Sequence, residues 1–240
     1  MELTKISFKR KTFDIIPENE RIFIVQLSLF VNEITMLHKL IVFSNNYKGS
    51  ETAVKAQNVQ SFFLIKLLAG KLYEGWQILQ KNYFRSKLSK QYDDQLSLEG
   101  KESIEYIKTY FNKQNLISLI RNKYSFHYDY EHIKEELSSI PEDEGLDLYL
   151  ASEFGNSLYY MAHVVSSYAL FNEVDSTDDR KALDKIFKDV LEMASKFLTF
   201  AEVVLGKIWE KYQISVSVGK VTLRGVPDIN SIGLPYFIVR

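Results

Sequence analysis

The sequence predicts a mainly α-helical protein, an antiparallel helical bundle with a small C-terminal β-hairpin or sheet. Apolar residues recur at helical spacing over long central stretches. Only four prolines and ten glycines interrupt 240 residues. The spacing changes from 3.6 to 2 only in the tail, where alternating residues suit a half-buried strand.

At the N-terminus, residues 1–16 read as an extended arm in which Ile6 and Phe8 alternate with polar neighbours. The basic start is followed by a polar stretch instead of an apolar core with a cleavage site, so no signal peptide is expected. Residues 21–44 form an apolar segment too long for an ordinary strand, and the turn-forming SNNYKGS after it ends a first long helix. Ile65, Leu68, Leu72, Trp76, Leu79 and Tyr83 then line one side of a second helix, antiparallel to the first, with Ser50 or Thr52 as its cap and an end near 85–89. Residues 97–111 and 114–126 read as two shorter helices, and 141–145 is the clearest loop.

Beyond that loop, Leu158, Met161, Ala162, Val165, Tyr168 and Ala169 make one apolar stripe. A longer stripe runs from Leu183 to Ile208, with Asp175, Ser176 or Thr177 as candidate caps and Asp178 and Asp179 favourably placed against the helix dipole. In the tail, 213–240, Ile214, Val216 and Val218 alternate with serines, and Gly219-Lys220 offers a two-residue turn into a second strand. Because two strands alone are marginal, the N-terminal alternation or the run at 236–239 is a candidate third.

Composition bounds the rest. With 46% apolar and 25% charged residues, the chain falls in the ordinary globular range, and one folded unit spanning 1–240 is expected. The absence of cysteine excludes disulfides, thiolate zinc sites and cysteine nucleophiles, and is compatible with a cytoplasmic location. A net charge of −1 lacks the footprint of a strong nonspecific nucleic-acid binder. The best membrane-span candidate, 154–172, carries too many polar residues to cross lipid alone, so no membrane partner is expected.

Chemistry concentrates in Arg121-Asn122-Lys123-Tyr124-Ser125-Phe126-His127-Tyr128-Asp129. An imidazole exchanges protons near neutral pH, while a guanidinium presents a planar donor fork to phosphate oxygens. Arg, Asn and then His at any of three nearby spacings arises by accident roughly 0.02 times in a chain of this composition. The Arg-Asn-x4-His pattern resembles the signature of the HEPN superfamily of small helical proteins.

That resemblance implies a HEPN-like domain with extensions and, in many members, a metal-independent endoribonuclease. The RNA 2′-hydroxyl attacks the adjacent phosphorus, with Arg121, Asn122 and His127 as catalytic candidates and no metal or cofactor expected. Tyr124, Tyr128 and Asp129 are supporting candidates. Asp129 stands where some toxin-like members have Tyr, which leaves the subgroup unassigned. On an ideal α-helix, Arg121 and His127 lie roughly 120° apart around the axis and about 9 Å apart along it. A homodimer pooling two copies at one cleft is therefore expected, with RNA or a nucleotide as ligand and an antitoxin-like protein as a candidate partner.

Local charge must supply any RNA affinity. Lys9, Arg10 and Lys11, then Arg85 and Lys87, and Lys123 beside the motif are the candidates, with Phe8, Phe13, Tyr83 and Phe84 as interleaved aromatics. The same residues also suit solvated helix faces and core packing. Arg121 and His127 equally suit an ion pair and a hydrogen bond at a helix end, and His163 suits a satisfied core histidine. No zinc or di-iron helix pattern, phosphate loop or serine-hydrolase motif occurs. A noncatalytic HEPN-like nucleotide- or RNA-binding module, or a protein-interaction module, is the alternative.

Overall fold

The computed structural model describes residues 1–46, 49–125, 130–153, 155–212 and 217–239. It is predominantly α-helical with a two-stranded antiparallel sheet, the expected class. By sequence, β1 (Glu2–Ser7) is followed by α1 (Arg10–Phe13), α2 (Glu18–Asn45) and α3 (Glu51–Leu79). Next come α4 (Leu88–Tyr92), α5 (Leu98–Phe111), α6 (Leu116–Leu119), α7 (Tyr130–Ser139), α8 (Tyr160–Val174), α9 (Asp179–Tyr212) and β2 (Ser217–Thr222). Wider π-helical turns continue α3 over Gln80–Phe84 and α6 over Ile120–Tyr124.

Residues 1–35, 74–113 and 193–228 form one compact unit, and 36–73, 114–192 and 229–240 form another. In the first, Phe30 meets Phe197 edge-on at 5.0 Å, Tyr83 packs between Phe23 at 5.3 Å and Phe200 at 5.2 Å, and Trp76 stacks on Phe111 at 5.2 Å. Gly75 is required here because a Cβ would overlap the Phe30 ring. Ser97 caps α5 by accepting a hydrogen bond from the Gly100 amide at 3.3 Å. The buried Glu20 carboxylate accepts from the hydroxyls of Tyr92 and, at 2.8 Å, Tyr212, and from Lys211 at 3.3 Å. Burial alone would raise the Glu20 pKa, but these donors outweigh it and hold it below the ordinary carboxylate value.

The sheet belongs to this unit, but not with the connection expected for it. Gly219 and Lys220 lie inside β2, paired with Lys5 and Thr4 of β1, instead of turning the chain. The partner strand comes from the opposite end of the sequence, where local patterns give no register. Ile214 and Val216 lie outside the described residues.

In the second unit, Phe62, Ile65, Leu68 and Leu72 of α3 and Ile186 and Val190 of α9 are buried. Ser50, one of the two expected caps, accepts from the Ala53 amide at 3.3 Å. At α9 the cap is Asp178, which accepts from the amides of Arg180 at 3.0 Å and Lys181 at 3.2 Å, whereas Asp175 binds Thr177. The tail is tied down by Asn156, whose amide donates to Ile238 O at 2.6 Å, and by Leu234 N donating to Phe43 O at 3.0 Å.

Among the described residues, the helix long and apolar enough to cross a membrane is α2, with a mean hydropathy of 1.3 over its best window. It is not 154–172, where the helix begins only at Tyr160. The α2 residues Phe23, Leu27 and Phe30 are buried in the first unit.

Candidate functional site

The second unit holds the described part of the motif. Asn115 starts α6 by accepting from the Ser118 amide at 2.8 Å. One turn later the backbone widens, so Arg121 and Asn122 sit on a π-helical turn. Such turns close i to i+5, and the α-helical angle calculated for Arg121 and His127 does not apply. His127, Tyr128 and Asp129 lie outside the described residues.

Contacts from two helices hold this turn. The Arg121 guanidinium lies 5.0 Å from the centroid of the Tyr73 ring on α3. Ser125 donates to the Lys66 carbonyl on the same helix at 3.2 Å. At the end of α8, Glu173 accepts from Lys123 at 3.0 Å and from the Tyr124 hydroxyl at 2.8 Å. Burial and the Glu173 carboxylate push the Tyr124 phenol up, keeping it neutral. Asn122 is exposed, and its side-chain oxygen accepts from Arg121 at 3.1 Å.

A cavity of about 430 Å³ opens beside the turn, lined by Lys123, Tyr124 and Ser125. Phe63, Met161 and Val165 contribute apolar wall, while Lys66, Glu136 and His163 bring titratable groups. Burial lowers the Lys66 pKa against the opposing pull of Glu136. Burial, then the Lys66 charge, lower that of His163 to about 4, so its imidazole is neutral at pH 7. Its ring packs edge-on against Phe62 at 5.4 Å. Among the described residues neither ring nitrogen of His163 makes a protein hydrogen bond, unlike the satisfied core histidine the sequence suggested.

Of the expected phosphate-binding cations, Lys123 is thus paired with Glu173. Lys9, Arg10, Lys11, Arg85 and Lys87 are exposed in the other unit, and Arg10 lies 3.9 Å from Asp14. The aromatics proposed with them are packed: Tyr83 is buried with its hydroxyl on Asp93 at 2.7 Å, and Phe8 and Phe13 lie against Trp209.

Sequence reasoning passed over Lys66, Tyr73 and Glu173. Lys66 had a legible signal, as the one cation in the apolar run from Phe62 to Leu68. Tyr73 and Glu173 reach the turn from helices distant in sequence, which spacing within the motif does not reveal. No protein-family model, curated protein or solved structure matches this chain.

Proposed function

We propose that this chain is a metal-independent endoribonuclease of the HEPN type, acting on cytoplasmic RNA as a homodimer. One observation supports the reading: a guanidinium held over the Tyr73 ring beside an exposed asparagine, in an Arg-Asn-x4-His sequence. The guanidinium is planar by resonance, a geometry that two phosphate oxygens accept, and its contact with the ring limits where the fork can sit.

In this mechanism His127 of one subunit takes the proton of the ribose 2′-hydroxyl, and that oxygen attacks the adjacent phosphorus. Arg121 neutralises the crowded phosphorane, with Asn122 holding a phosphate oxygen. The 5′-oxygen then leaves with a proton from the partner's His127, giving a 2′,3′-cyclic phosphate and a 5′-hydroxyl. The neutral phenol of Tyr124, whose hydroxyl donates to Glu173, helps hold the same turn. A toxin or phage-defence effector, restrained by an antitoxin-like partner, is the setting such an activity suits.

The cavity beside the turn favours a second reading, a noncatalytic module that holds a nucleotide or RNA base against Phe63 and Lys66. Incubation with a pool of single-stranded and structured RNAs in chelator separates the two. The nuclease produces cyclic-phosphate ends and loses at least a hundredfold in rate in Arg121→Ala and His127→Ala, with unchanged circular dichroism. A dimer that binds RNA but leaves it whole overturns the catalytic reading.

A further inference from the structure

A second cavity in the same unit, about 470 Å³, shares His163 and Phe62 with the first. Its volume falls in the range of small-molecule sites. The wall is aromatic: Phe62 from α3, Tyr160, Tyr168 and Phe171 from α8, and Phe187 from α9. Glu144, Asp179 and Asp184 add three carboxylates, and no lysine or arginine lines it. The neutral imidazole of His163 adds no opposing charge at pH 7.

Aromatic faces and carboxylates together select cations, because the face of a ring carries negative potential and attracts an ammonium. The chain already uses this wall in that way. Lys55 Nζ lies 5.3 Å from the centroid of Tyr160, with Asp147 accepting from it at 2.8 Å. Among the described residues, no lysine or arginine stacks on Tyr168, Phe171 or Phe187.

Whether the carboxylates gather into a metal cage chooses between kinds of cation. Among the described residues, no three of His, Asp or Glu gather within reach of one metal ion. Carboxylates spread around an aromatic-walled cavity instead match several ammonium groups separated by methylene runs, whose apolar stems pack on the rings. We infer that this cavity is a binding site for an aliphatic polyamine, separate from the turn that carries Arg121. The site does not depend on nuclease activity.

Calorimetric titration of the full chain with spermidine, without RNA, in about 0.15 M salt containing magnesium tests this. Saturable binding is expected, weakened at least tenfold in Asp184→Asn and in Phe187→Leu. Asp184 is exposed, so its amide variant keeps the wild-type melting curve, and Phe187→Leu preserves an apolar side chain should larger truncation unfold the helix. The absence of saturable heat overturns the proposal. So does binding that both variants retain at wild-type strength, which would put spermidine elsewhere, or binding that magnesium displaces as readily as spermidine does, the mark of a diffuse ion atmosphere.

Discussion

The Arg121 guanidinium carbon sits 5.0 Å from the centroid of Tyr73, so the residue expected to grip phosphate is oriented by a ring from a different helix. Contact with the ring restricts where the fork sits before any ligand arrives, and pre-orientation lowers the entropy lost on binding. Arg121→Lys keeps the charge and loses the plane. RNA cleavage is expected to fall at least a hundredfold in this variant, while Tyr73→Phe stays near wild type and Tyr73→Leu loses about 1 kcal/mol of transition-state stabilisation, roughly five- to tenfold in kcat/KM. Equal rates for Arg121→Lys and wild type would show that planarity is irrelevant.

Glu173 puts a carboxylate on Lys123 and Tyr124, and so withdraws one cation from the motif's surface. Glu173→Gln releases that cation and removes a negative charge from the approach of RNA. Affinity for a noncleavable RNA is expected to rise severalfold, with a steeper salt dependence by about one phosphate contact. The pair is partly exposed, so the stability change stays within about 1 kcal/mol. Unchanged affinity and salt slope in a filter-binding assay place the RNA away from this turn.

The long helices were legible because a buried face repeats where the sequence says it should. Ile65, Leu68, Leu72, Leu79 and Tyr83 are all fully buried and Trp76 nearly so. The β pairing was only half legible: alternation marked the strands, but both faces of β1 and β2 are exposed, so burial selects no register and Gly219-Lys220 passed for a turn. Of the candidate site, Arg121 and Asn122 stand out in the sequence by residue type alone. What orients them was not legible, since a π-helical turn has no residue signature and Tyr73, Lys66 and Glu173 arrive through tertiary packing.

Glu20 is a buried carboxylate that depends on its donors. Tyr92, Tyr212 and Lys211 hold its pKa below the ordinary value despite burial, so its contribution to stability is complete above the unfolded carboxylate pKa and is lost as pH falls through the folded one. Glu20→Gln keeps the volume but removes the charge that strengthens these bonds. A loss of about 2 kcal/mol is expected in urea unfolding at neutral pH, shrinking in acid where the wild-type carboxylate is itself protonated. A variant as stable as wild type at pH 7 would mean that the network contributes nothing beyond shape.

His163 titrates in a different window. Its folded pKa of about 4 lies below the ordinary 6.5 because burial disfavours the imidazolium, and Lys66 repels it further. The rings of Phe62 at 5.4 Å and Tyr160 at 5.8 Å pack against it without charge, and Glu144, Asp179 and Asp184 are the carboxylates that line the same cavity. The unfolded chain takes up a proton below pH 6.5 while the folded chain holds none there until about pH 4. Stability is therefore full above pH 6.5 and falls as pH drops toward 4, by about 3 kcal/mol for the whole interval. His163→Gln has no such proton to bind, so its urea midpoint varies less between pH 6.5 and 4.5, above the range where Glu20 acts. A variant whose midpoint falls with acid as steeply as the wild type's over that interval would show that His163 is solvated in the folded chain, and that the neutral wall assigned to the cavity is not there.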